Sequence, residues 1–159
     1  MSKFSHIDEG NKPKMVNVGG KKITKRKATA QALMYLGKDI VKLLNGDEIK
    51  TKKGPVFQTA VIAGIQAVKK TADLIPMCHP LPLDGIKIDI DFITVEEIRI
   101  LCTVEMEGKT GVEMEALTGA SVSALTVYDM CKAISQQMMI KEVKLLEKRG
   151  GKSDIRRSL

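Results

Sequence analysis

The chain has no tryptophan, and only two tyrosines and three phenylalanines among its 159 residues. Base-stacking platforms need aromatic rings, so this scarcity argues against a nucleic-acid binder. There are two histidines, which excludes a His-rich metal site, and no H-E-x-x-H. The three cysteines, at 78, 102 and 131, show no C-x-x-C spacing. They read as reduced thiols of a cytoplasmic protein, with neither a disulfide framework nor a zinc site. Long apolar runs are absent as well. The longest uncharged run, Gly54 to Val68, has 15 residues, and a membrane span needs about 20 mostly apolar ones. The first residues contain no stretch resembling a signal peptide.

Charge is plentiful, and unevenly placed. The net +7 is carried by the ends. Residues 1 to 27 hold eight Lys or Arg against two acids, and residues 148 to 159 hold five against one. The 120 residues between them carry 13 basic and 16 acidic side chains, a net of −3. Like-charged blocks at chain ends read as flexible arms, here about 1–12 and about 149–159 of a single 1–159 domain. A basic RNA-associated protein acting through these ends remains a rival reading, and a non-catalytic assembly partner is a third.

The hydrophobic pattern outlines an α+β domain. Met15 to Val18 suits a short strand, Lys25 to Leu36 a longer one, and Lys38 to Leu44 a short helix stopped by Asn45-Gly46. Gly54-Pro55 opens a stronger helix, whose Val56, Ala60, Ala63 and Ala67 recur at helical spacing. Ile86 to Phe92 and Ile98 to Val104 alternate as two strands of a hairpin. Thr110-Gly111-Val112-Glu113 has capping-box form and introduces a helix to about Ile134, and Val143 to Glu147 suggests a last strand. From residue 26 this order is strand, helix, strand, strand, helix, strand. It is the ferredoxin-like order, an antiparallel sheet with helices on one face and the other face open to a partner subunit.

Phosphate-loop motifs fail. Gly20-Lys21, Gly108-Lys109 and Gly151-Lys152 each lack the glycine five residues upstream, where Met15, Thr103 and Leu146 stand. A sparse set of polar residues remains. His79 sits among Pro76, Pro80 and Pro82, in a stiff loop that suits an acid–base imidazole and equally a buried ring bonded to backbone. Its neighbour Cys78 reads as a buried thiol. Asp129 and Lys132 share one helix face after thirteen uncharged residues. Glu113 suits a capping role, and Glu115 points elsewhere. Lys53 before a helix start would attract anions. Lys69, at the other end of that helix, complements the helix dipole.

These residues carry a resemblance. Lys53-Gly54 with Ala63-Gly64-Ile65-Gln66-Ala67, Asp73 to Pro76 with Cys78 to Leu81, and Gly108 to Leu117 resemble the cyclic pyranopterin monophosphate synthases of molybdenum cofactor biosynthesis. So do Tyr128 to Ala133 and Gly150 to Ser153. The likeness runs in order from about residue 6 to 154. It implies a ferredoxin-like fold, assembled as a homohexamer of three dimers with sites at the dimer interface. It implies a lyase that converts 3′,8-cyclo-dihydro-GTP, supplied by a radical GTP cyclase, to cyclic pyranopterin monophosphate and pyrophosphate. It places catalysis on Lys53, His79, Asp129 and Lys132, and substrate contacts on Arg26, Lys69, Cys78, His79, Glu113, Glu115 and Lys148. No metal site or cofactor is implied, and Mg²⁺ would enter only with the triphosphate. On these lines Lys132 and Asp129 form an acid–base pair tuned toward neutral pH, and Lys53, Lys148 and Arg26 hold phosphates. Pro55, Ala72, Gly119, Arg149 and Asp154 depart from the family pattern. Pro55 stands where an aspartate is common, which puts in doubt a carboxylate at that helix start.

Overall fold

A computed structural model describes residues Gly10–Arg157. Met1 to Glu9, which include most of the expected N-terminal arm, and Ser158 and Leu159 lie outside the described residues. The elements run β1 (Thr24–Tyr35), α1 (Lys38–Val41), β2 (Leu44–Asn45), β3 (Glu48–Thr51), β4 (Gly54–Pro55), α2 (Val56–Lys69), α3 (Thr71–Leu74), β5 (Gly85–Phe92), β6 (Glu97–Gly108), α4 (Glu113–Cys131), β7 (Met139–Arg149) and β8 (Ile155–Arg156). The main sheet has the order β5-β6-β1-β7-β8, antiparallel throughout. Setting aside the short elements, this is the ferredoxin-like α+β arrangement expected from the strand and helix order.

Alternation decides which face is covered. Ala28, Ala30, Ala32 and Met34 of β1, and Ile98, Ile100, Cys102 and Val104 of β6, are fully buried under the helices. α4 lies over β1, β6 and β7, while α2 lies over β5 and against α4. Alanines on β1 leave room for Ala116, Ala120 and Ala124 of α4. The helices meet where both are small: a Cβ on Gly64 would lie 2.1 Å from Ser123 Oγ and 3.0 Å from the Gly119 carbonyl. Ser123 donates to the Ala60 carbonyl at 3.0 Å, and Val68 abuts Gly119, so the two helices run antiparallel.

The opposite face has no covering element among the described residues, and it carries polar side chains. Thr29 and Thr103 hydroxyls bond at 2.9 Å, and Gln31, 3% exposed, donates to Glu142 at 3.0 Å. Arg99 Nε is buried there with no hydrogen-bond partner among the described residues.

Four local expectations change. Met15 to Val18 forms no strand, because its carbonyls bond elsewhere: Val16 O to the His79 ring and Val18 O to the Lys21 N–H. The capping box does not form. α4 begins at Glu113 with Val112 at the cap, so Glu113 is the first helical residue and cannot reach back as the third. The same helix stops at Cys131, short of Ile134. The C-terminal end, expected to be loose from residue 149, is tied back, since β8 pairs with Glu147 and Lys148 of β7. A small sheet, β2-β3-β4, was not legible in the hydrophobic pattern at all.

Candidate active site

The residues singled out by the sequence fall into two groups, one at each end of α4. The first group is Lys53, Asp129 and Lys132. The small sheet presents Lys53 in the turn between β3 and β4, where its backbone N–H donates to Thr51 Oγ1 at 3.1 Å. Its Nζ donates to Asp129 Oδ2 and to the Asp129 carbonyl, both at 3.0 Å. Lys132 Nζ reaches Asp129 Oδ1 at 2.7 Å. One carboxylate thus bridges two ammonium groups at the C-terminal end of α4, where cations are favoured by the helix dipole.

All three side chains are exposed. Lys132 and then Lys53 hold the Asp129 carboxyl below its ordinary value, and Asp129 holds the Lys132 ammonium above its own. This corrects the expectation of a pair tuned toward neutral pH. In open solvent each partner favours the other's charged form, and there is too little desolvation to oppose it. A second correction concerns the start of α2. Glu48 on β3 accepts from the Phe57 N–H at 2.8 Å and from the Gln58 N–H at 3.1 Å. That helix start therefore has a carboxylate, supplied by Glu48, and its amides are not left open to an anion beside Lys53.

The second group surrounds the N-terminal end of α4. The Pro-bounded loop holds His79 half-buried, with Nε2 2.8 Å from the Val16 carbonyl. A carbonyl only accepts, so Nε2 carries the proton and Nδ1 is left as the acceptor of the neutral ring. One nitrogen is thus bonded to backbone, and the ring lines a cavity of about 500 Å³. Cys78, Glu113, Glu115 and Lys148 line the same cavity. Glu115 is buried, and desolvation, with a smaller push from Glu113, raises its carboxyl above the ordinary range. A carboxyl raised in this way is suited to hold or deliver a proton. Burial, with Glu115 beside it, also raises the Cys78 thiol, which disfavours a thiolate nucleophile. Glu113 pairs with Lys148 Nζ at 3.3 Å.

That pair also borders a second cavity of about 440 Å³, to which Arg26 belongs. Arg26 Nε donates to the Gly108 carbonyl at 3.3 Å. The cavity is lined by eight Lys or Arg side chains and one carboxylate, Glu113. Among them are Lys21, Lys22, Lys109 and Lys152, which sequence reasoning did not assign to a site. Lys69 lies in the last turn of α2, at this end of the antiparallel helix pair, but lines neither cavity. Glu113 and Asp129 are sixteen residues apart on one helix, about 24 Å along its axis. A single chain therefore does not bring Lys53, Asp129 and Lys132 to His79. Among the described residues, no cluster of three His, Cys, Asp or Glu is placed to hold a metal ion, and no helix is long and apolar enough to cross a membrane.

The fold and these cavities define an α+β domain of ferredoxin-like topology with a strongly cationic cavity at one corner of its sheet, joined to a second cavity that holds a backbone-bonded imidazole and a desolvated carboxyl. The chain belongs to the MoaC family, whose model matches residues 15–151. It is 50% identical over 154 residues to a cyclic pyranopterin monophosphate synthase of Xanthomonas campestris pv. campestris, covering 97% of this chain and 93% of that protein. A protein of the same name from Campylobacter jejuni is 50% identical over 152 residues, covering 95% and 96%. A molybdenum cofactor biosynthesis bifunctional protein of Synechocystis sp. is 53% identical over 156 residues; the match takes in 96% of this chain and 45% of that longer protein.

Proposed function

We propose that this protein converts 3′,8-cyclo-dihydro-GTP to cyclic pyranopterin monophosphate with release of pyrophosphate, as a lyase of molybdenum cofactor biosynthesis. Relatives of that name at half identity over nearly the whole chain support the reaction. The observation that carries the reading is the cationic cavity joined, through the Glu113–Lys148 pair, to His79 and a buried Glu115. Phosphates would lie against Arg26 and Lys148, and the base and sugar against His79, Glu113 and Glu115.

The reaction opens the purine's five-membered ring, rebuilds it as a pyrazine and closes a cyclic phosphate on the sugar. Each step moves protons. Glu115, whose carboxyl burial raises above its ordinary range, is suited to donate one, and His79 Nδ1 to accept one. Lys53, Asp129 and Lys132 would act on the same substrate from a second copy of the chain, with Lys132 and Lys53 stabilising developing negative charge as fixed cations. The polar sheet face, with Arg99 Nε buried and unpaired, supports association through that surface. The assembly in this proposal is a homohexamer of three dimers, with the site at the dimer interface. The substrate arrives from a radical GTP cyclase in the cytoplasm. The protein holds no cofactor or metal of its own, and any Mg²⁺ accompanies the triphosphate.

The test is direct. The cyclised nucleotide is supplied to the purified protein, and the pterin and pyrophosphate are measured. Lys53→Ala, Lys132→Ala and His79→Ala are each expected to lower turnover at least a hundredfold. Unchanged turnover in these variants removes the site assignment.

A further inference from the structure

Met15 to Val18 reads as a strand in sequence and joins no sheet, yet its alternation survives as burial. Val16 and Val18 are half-buried and line the 500 Å³ cavity that holds His79, while Met15, Asn17 and Gly19 are exposed. With no ladder to join, the segment satisfies its backbone groups one at a time. The Val16 carbonyl accepts from His79 Nε2 at 2.8 Å, and the Val18 carbonyl from the Lys21 N–H at 3.1 Å. The Gly19 carbonyl accepts from Lys109 Nζ at 2.6 Å, and Asn17 Oδ1 from the Gly19 N–H at 2.8 Å. Two side chains from elsewhere in the fold, His79 of the Pro-bounded loop and Lys109 after β6, therefore hold the segment at its two ends.

The contact between His79 and Val16 has two consequences. An imidazole acting as a base needs its accepting nitrogen defined, and the bond made by its other nitrogen defines it. In acid–base sites a third group commonly orients the base. Here that group is a backbone carbonyl, which sets the tautomer and the ring angle without placing a formal charge beside the ring. The same contact anchors Val16, which with Val18, Met77 and Leu81 gives the cavity an apolar lining. Apolar walls exclude water and strengthen the electrostatic contacts inside. Orientation of the ring and closure of the cavity thus depend on one hydrogen bond.

We propose that Val16 is a positioning residue for His79, and that the imidazole in return tethers the strap from Val16 to Gly19 as a wall of the reaction cavity. His79 then has a task at each ring nitrogen. Nε2 holds the strap, and Nδ1 takes a proton during the reaction. The task of Nδ1 rests on the reaction proposed above, whereas the tether is a property of the protein without substrate.

Two substitutions at His79 separate the tasks. Glutamine offers a side-chain N–H near the position of Nε2 but no basic nitrogen, and alanine offers neither. With the cyclised nucleotide as substrate, His79→Gln is expected to lose kcat while KM stays within about threefold of the wild type. His79→Ala is expected to lose kcat and also to raise KM about fivefold or more. Val16→Gly/Val18→Gly keeps the ring and loosens the strap, and should raise KM by a similar factor. Met15→Ala, exposed and outside the cavity, is the unchanged control.

The tether is read separately by NMR of the full chain without substrate. The chain has one other histidine, so a His6→Ala chain leaves a single ring to observe. A ring proton on Nε2, protected from exchange with water, is expected in that chain and lost when Val16→Gly/Val18→Gly is added. Thermal melts confirm that each variant is folded. A ring proton found on Nδ1 instead, or an Nε2 proton that exchanges equally fast with and without the glycine substitutions, overturns the tether. Equal KM in the glutamine and alanine variants, or a KM unmoved by the glycine substitutions, overturns the strap as a wall of the site. A protected Nε2 proton in a chain that does not turn over the nucleotide removes the reaction and leaves the tether.

Discussion

Two chains that are each inactive are expected to restore one another. Lys53 and Asp129 sit about 24 Å along α4 from Glu113 and the His79 loop, farther than one nucleotide base and sugar can bridge. If each site takes its His79 group from one copy and its Lys53 group from the other, a mixed dimer of Lys53→Ala and His79→Ala chains contains one doubly damaged site and one intact site. Random 1:1 reassembly makes half of the dimers mixed, so about one quarter of all sites recover. The assay co-refolds the two variants, or co-expresses them with different tags, and measures pterin formation in the mixed oligomer. Lys53→Ala mixed with Asp129→Ala is the control. Those two residues share one carboxylate–ammonium cluster, every site is damaged, and no activity returns. Verified mixed oligomers of the first pair that remain inactive would refute the shared site. Recovery in the control pair would refute the grouping of Lys53 with Asp129.

Three further outcomes follow from burial and packing. The Glu115 carboxyl is raised by burial, so the folded chain keeps its proton to a higher pH than the unfolded chain does. Its contribution is complete below the ordinary value of 4.5 and declines as pH rises through the folded value. The melting temperature of Glu115→Gln should therefore gain on the wild type as pH increases from about 4.5, and a gap that shrinks instead would contradict the sign. Gly64→Ala would place a Cβ 2.1 Å from Ser123 Oγ and 2.5 Å from Ile88 Cδ1, and should cost about 1–3 kcal/mol in urea unfolding. A variant as stable as the wild type would show that the α2–α4 contact is looser than this. Burial pushes the Cys102 thiol up to about 12 and the Cys131 thiol up to about 11, and Cys78 is half-buried. A thiol reagent at pH 8 should modify Cys78 alone until the protein is unfolded; rapid reaction of a second thiol would count against the packing of α4.

The main sheet and its two long helices were legible because their periods are clean. β5 alternates from Ile86 to Phe92 and β6 alternates except at Leu101, and the inward Ile, Val and Cys residues go under the helices. The pieces that escaped are those held by single long-range bonds. β2, β3 and β4 are two to four residues each, too short for any period to register, yet together with Glu48 they position Lys53 and start α2. The capping box failed because its spacing was right and its frame was wrong. Glu113 went to Lys148, a partner 35 residues away that local pattern cannot see.

The site was legible as a list of residue types, and illegible as a place. What assembles it is register. Thr24 of β1 pairs with Gly108 of β6, and Lys27 of β1 pairs with Arg149 of β7. The beginning of the central strand is thus flanked by the ends of its two neighbours. The segment entering β1 carries Gly20-Lys21, the segment leaving β6 carries Gly108-Lys109, and the segment leaving β7 carries Gly151-Lys152. Antiparallel pairing alone therefore gathers three glycine–lysine turns at one corner of the sheet, beside Arg26 and Lys148. A one-residue slip of β1 against its neighbours would send Arg26 to the opposite face and separate it from Lys148 and Glu113. The basic end segments are the walls of that corner, which explains why a chain with an acidic body concentrates its positive charge just before its first strand and just after its last long one.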